Sequence, residues 1–160
     1  MMHEIKKEIE SQVVEIKRVT RVVAGGKRMR FRALVVVGDR KGRVGIGVKK
    51  GVDVADAVGK ATAKARKNMI AVNIVSDTIP HRVLQKYKSA NVLLKPAKPG
   101  AGIKAGGPVR AVVALAGIKN ITSKMLGSAN KISNVRAVYE ALKKFKNQKT
   151  EKPKNPEESS

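Results

Sequence analysis

The chain has 160 residues, with 35 Lys and Arg against 12 Asp and Glu, a formal net charge of +23, 42% apolar residues and no Cys. Such a chain can bury a core in one ordinary domain or two small ones, and it excludes disulfides, thiolate nucleophiles and Cys-containing zinc sites. No apolar run approaches the roughly 20 residues needed to span a bilayer, and the start MMHEIKKEIE lacks the apolar stretch of a signal peptide, so a soluble cytosolic protein is expected.

Residues 1–12 read as an N-terminal extension, where Ile5, Ile9 and Val13 at i, i+4, i+8 suit a short frayed helix. A first domain is expected over 13–72. Residues 13–23 are rich in β-branched side chains, and the alternation Val14, Ile16 slips phase to reach Val19, as in a bulged strand. A Gly25-Gly26 turn leads into 29–37, where Met29, Phe31, Ala33, Val35 and Val37 share one face and Arg30 and Arg32 open the other. The loop from Gly38 to Gly42 turns into a third strand carrying Val44, Ile46 and Val48. Asp53 and Asp56 have capping-box spacing, and Val54, Ala57, Val58, Ala61, Ala65 and Met69 form a helical stripe that should cover the three-stranded sheet. The opposite side of that helix carries Lys60, Lys64 and Lys67, toward solvent or phosphate.

Residues 73–77 read as a linker and 78–146 as a second domain. Strands are expected over 78–86 and 90–96, then the loop KPGAGIKAGG, a helix opened by Pro108 and ended by Gly117, a strand near 118–126 and a helix from Asn130. In that last helix Ile132, Val135, Val138, Leu142 and Phe145 lie on one face, with Asn130 or Ser133 as the cap. The tail 147–160 is polar, carries two Pro and reads as disordered.

The charge is concentrated in the middle. Residues 17–146 hold 30 basic side chains against Asp39, Asp53, Asp56, Asp77 and Glu140, and eleven Lys or Arg separate Asp77 from Glu140 with no acid between them. Solubility asks for a charge of only about 2–8 in a small domain, so a polyanion is the expected partner. Four aromatic side chains are too few to stack successive unpaired bases, which directs binding to RNA backbone and shape. The sharpest candidate is the first hairpin, where Arg18, Arg21, Lys27, Arg28, Arg30 and Arg32 surround Gly25 and Gly26. Guanidinium forks grip phosphate oxygens in pairs, and glycines let backbone approach them. Lys49 on the third strand joins this set.

Catalysis is not expected. His3 and His81 are the only imidazoles and sit in no ligand or triad spacing, so neither metal nor other cofactor is implied. Gly100-x-Gly102-x-x-Ala105 matches a dinucleotide fingerprint loosely, without the strand leading into it or the acid that would bind ribose.

The segments RVTRVVAGGKRMRFRALVVVGDRKGRVGIGV, ANVLLKPAKPGAGIKAGGPVRAVVALAGIKN and LGSANKISNVRAVYEAL resemble the fifth protein of the small ribosomal subunit in its bacterial form. The resemblance implies an α+β fold of two small domains. The first is related to double-stranded-RNA-binding domains, with a three-stranded antiparallel sheet and a helix; the second is a β-α-β-α domain with a left-handed crossover. It also implies binding to small-subunit ribosomal RNA, help in assembly, and a place near the decoding region and the path by which mRNA enters. The family's RNA-contacting hairpin, close to where spectinomycin binds, is matched by Thr20 to Arg28. Its interface with the fourth small-subunit protein is matched by Gly102, Gly106, Gly107 and Arg110, and its second domain also approaches the eighth protein. The helix starting Asp53-Val54-Ala55-Asp56 lacks the Lys-rich start of an ordinary double-stranded-RNA-binding domain, which centres the expected recognition on the hairpin. The alternative is a free-standing RNA chaperone or general double-stranded-RNA-binding protein.

Overall fold

The computed structural model describes residues 9–151. The expected helix around Ile5 and the end of the tail lie outside these residues; from Glu10 onward, Val13 included, the chain is strand. Strands β1 (Glu10–Val23) and β2 (Gly26–Gly38) pair antiparallel, from Glu10 opposite Gly38 to Val23 opposite Gly26. The phase slip is present but falls earlier than the Ile16 to Val19 step. Val13 faces Val35 and Glu15 faces Leu34, so Val14 is the extra residue of a bulge. The turn is Ala24-Gly25, and Gly26 opens β2 with φ of +130°, a conformation that glycine adopts without strain.

Strand β3 (Arg43–Gly51) pairs with β2, and the helix α1 (Val54–Lys67) follows. A fourth strand, β4 (Ile70–Ala71), pairs with Arg43 and Val44, so the sheet has four strands where three were expected. Alternation along β2 sends side chains to two different cores. Ala33, Val35 and Val37 meet Ala57, Ala61 and Ala65 of α1, whereas Leu34 and Val36, with Val44 and Ile46, join the core of the second half. The helix lies close because β3 presents glycines to it. A Cβ on Gly45, Gly47 or Gly51 would collide with the backbone of Ala65, Ala61 or Ala57 respectively.

The start of α1 is fixed by reciprocal caps. Asp53 accepts the Asp56 N–H at 2.7 Å, and Asp56 accepts the Val52 N–H at 3.1 Å. That backbone donor, with the Lys60 ammonium 3.2 Å away, holds the Asp56 carboxyl below the usual carboxylate range. Asp53→Ala should therefore cost about 1 kcal/mol in urea unfolding. An unchanged midpoint would mean that packing alone positions the helix.

The second sheet has the order β5-β6-β8-β7. Strands β5 (Val83–Tyr87), β6 (Ala90–Pro96) and β8 (Ile121–Met125) are antiparallel neighbours, and β7 (Ile103–Lys104) pairs parallel to β8. Three local expectations are corrected. The strand expected from 78 starts at Val83, because Pro80 brings no ladder donor. The strand expected near 118 starts at Ile121, because the N–H groups of Lys119 and Asn120 turn away to the Asp77 carbonyl at 3.0 and 2.9 Å. Within the expected Gly-rich loop, Ile103 and Lys104 form β7.

Helix α2 (Gly107–Ala116) crosses from β7 to β8 and is buried at Val109, Ala111, Val112, Val113, Leu115 and Ala116. Gly117, at φ of +97°, ends it. Helix α3 (Lys131–Glu151) packs Val135, Val138, Leu142 and Phe145 into the same core. Its cap is Asn130, whose side chain accepts the Ile132 N–H at 3.0 Å, while Ser133 is buried. The helix runs past Lys146 to Glu151, since Asn147 to Glu151 contain no Gly or Pro to stop it.

One apolar cluster joins the two halves, from Leu34, Val36, Val44 and Ile46 to Val92, Val109, Val112, Ile121 and Leu142. The β2–β3 loop completes the junction. Arg40 and Gly42 donate their N–H groups to the Leu115 and Ala116 carbonyls at 2.9 and 2.8 Å, satisfying acceptors that the end of α2 leaves open.

Candidate nucleic-acid interface

Strand β3 reaches only to Phe31, which faces Gly51, so β1 and β2 continue beyond it as a two-stranded ribbon. Lys17, Arg32 and Lys50 stand in one cross-strand row, Lys17 opposite Arg32 and Arg32 opposite Lys50. Like charges directly opposite destabilise a sheet unless an anion intervenes. Glu15 offsets the row only in part. It lies 3.9 Å from Arg32 and 4.0 Å from Lys131 of α3, dividing one carboxylate between two cations. No acid occurs between Glu15 and Asp39, so the ribbon itself carries no carboxylate.

The structure distributes the expected RNA-binding residues over both faces. Arg30 and Arg32 share the face that continues toward the second half, whereas Arg18, opposite Phe31, and Thr20, opposite Met29, lie on the α1 face. Arg21 is the register partner of Arg28, and Lys27 that of Val22; Gly25 and Gly26 form the tip. Val22 and Met29 are 76% and 49% exposed near that tip, giving the ribbon an apolar end as well as a basic shaft. Lys49 does not belong with them. It faces Ala33 and lines a separate cleft with Lys50, Lys60, Lys64 and Lys67. Lys17 and Lys50 were missed in the sequence, because their place in the cationic row depends on cross-strand register.

The residues matched to a protein interface gather around the start of α2. Gly106 is its cap, Gly107 its first residue, and Arg110 is exposed one turn on. Gly102, at φ of +77°, receives the Asn120 side-chain oxygen on its N–H at 3.0 Å and accepts the Ile121 N–H at 3.1 Å. Beside them Arg40, Ile103, Arg110, Ala114, Gly117 and Lys119 line a pocket of about 350 Å³.

His81 serves packing. Its Nδ1 lies 2.8 Å from the Arg82 carbonyl oxygen, and its ring meets Phe145 edge-on at 5.0 Å. His3 lies outside the described residues. Among the described residues no group of three or more His, Asp or Glu is placed to hold a metal ion, and no helix is long and apolar enough to cross a membrane.

Two family models match the chain: ribosomal protein S5, N-terminal domain, over residues 9–73, and ribosomal protein S5, C-terminal domain, over residues 85–154. The chain belongs to the ribosomal protein S5 family. The four-stranded antiparallel sheet with α1 and the mixed sheet with its helices are the two domains of that α+β fold. S5 proteins are structural and non-enzymatic, so membership gives the chain a structural role in the ribosome, among ribosomal RNA and other ribosomal proteins.

Proposed function

We propose that this S5 protein is a structural constituent of the small ribosomal subunit, in the cytoplasm, that grips ribosomal RNA with the β1–β2 ribbon. In this reading it supports assembly of the particle and contributes to translational accuracy near the decoding region and the path by which mRNA enters. The observation that carries the reading is the ribbon itself: free of carboxylates, extended beyond its sheet, and rooted at the end of β3 in the row Lys17, Arg32 and Lys50. Phosphates neutralise the shaft, and exposed Val22 and Met29 at the tip suit contact with base faces. The surface around Gly102, Gly106, Gly107 and Arg110 receives the fourth small-subunit protein, and the second domain approaches the eighth. The protein itself performs no catalysis.

Sucrose-gradient sedimentation of a lysate in moderate salt tests this reading. Stoichiometric migration with small subunits and whole ribosomes is expected. Scatter over RNAs of all sizes would instead establish an RNA chaperone. With about eight phosphate contacts, the slope of log K against log salt should be near −7, or roughly a 10⁴-fold loss of affinity from 50 to 200 mM salt. A slope shallower than about −2 would remove the electrostatic mechanism.

A further inference from the structure

Lys49 and Lys50 at the end of β3 meet Lys60, Lys64 and Lys67 of α1 across a cleft of about 520 Å³, with Ala63 in its wall. The three helix lysines stand at i, i+4 and i+7, neighbours on one helical face with Cβ atoms about 5–6 Å apart. Only Lys60 is neutralised locally, by Asp56 at 3.2 Å. Among the described residues no carboxylate lies within ion-pair reach of Lys49, Lys50, Lys64 or Lys67. Lys64 also lines a second cleft, of about 210 Å³, with Ile46, Asn68, Arg136, Tyr139 and Glu140. The two clefts thus meet at one side chain, and the second is walled by the other domain.

A solvated lysine face at a helix C-terminus, favoured by the helix dipole, accounts for Lys64 and Lys67. It does not account for Lys49 and Lys50, which arrive from a separate strand. Nor does it explain why Lys64 is partly buried between two clefts. Concentrating five lysines in a concave site against the single Asp56 carboxylate raises the potential felt by a polyanion.

We infer that the β3–α1 cleft is a second phosphate-binding surface, holding the sugar-phosphate backbone of an RNA strand distinct from the one gripped by the ribbon and leading it toward Arg136 of α3. This shares with the proposed function the premise that the partner is RNA. It differs from the helix-start mode that the Asp-rich beginning of α1 excludes, because the cations sit on the later turns and on β3.

The test is lysine acylation followed by mass spectrometry on the full chain, with and without saturating small-subunit ribosomal RNA, for the wild type and for Arg30→Glu with Arg32→Glu. RNA should slow acylation of Lys49, Lys50, Lys64 and Lys67 several-fold in both proteins. Replacing Lys49, Lys64 and Lys67 by Gln should make the salt slope shallower by about 3 while leaving the ribbon contacts in place. Wild-type protein that binds RNA with these lysines still fully reactive would overturn the second surface and leave the ribbon reading standing. So would a ribbon variant that binds no RNA at any concentration. A wild type that binds no RNA would remove both readings.

Discussion

Gly47→Ala is expected to destabilise the protein by about 3 kcal/mol, the upper part of the usual range for overpacking a filled site. The added Cβ would collide with the Ala61 carbonyl and lie 2.8 Å from the Ala65 nitrogen. Both are helix backbone, which cannot rotate aside as a side-chain end can. Helix α1 would have to lift, opening the contact of Ala57, Ala61 and Ala65 with Ala33, Val35 and Val37. Gly59→Ala in the same helix supplies the control. A Cβ there meets nothing within 4 Å, so removing a helical glycine should stabilise by about 0.8–1 kcal/mol. Urea unfolding of the two variants should shift in opposite directions. Equal midpoints would show that the close approach of α1 to β3 is not a constraint.

Reversing Arg30 and Arg32 together to Glu should weaken RNA binding about 100-fold, since two charge-assisted contacts of roughly 1.5 kcal/mol each are lost. The salt slope should become shallower by about 2. Folding should survive, because Arg30 is exposed and the Arg32–Glu15 pair at 3.9 Å is a long one at a partly exposed site. A Glu at position 32 would stand opposite Lys17 and Lys50 and relieve the repulsion in their row. Filter binding at several salt concentrations, with circular dichroism as the folding check, decides the matter. Unaltered affinity in a folded variant would remove the ribbon as the main grip.

The features legible in the sequence were those with a local signature. Asp53 and Asn130 announce helix starts through side-chain oxygens, Gly117 announces an end through its left-handed backbone, and the alternation from Met29 to Val37 shows a strand with two faces. Two-residue strands have no period to detect, which is why the sequence assigns no element to β4 and shows β7 only as part of a Gly-rich loop. The destination of Leu34 and Val36 was equally hidden. Alternation says that they share a face, but only the fold shows that this face meets α2 and α3 rather than water. The sequence shows Lys49 only as one more basic residue of the RNA-binding set, whereas its register opposite Ala33 turns it toward α1. The basic ribbon was visible because charge needs no partner in order to be seen.

The shared core also sets a timetable for the nascent chain. Leu34, Val36, Val44 and Ile46 are made early, and their covering reaches completion only with Phe145, about 100 residues later. At synthesis rates of roughly 5–20 residues per second, that sheet face stays uncovered for about 5–20 s. Every new copy passes through an interval in which it could stick to another.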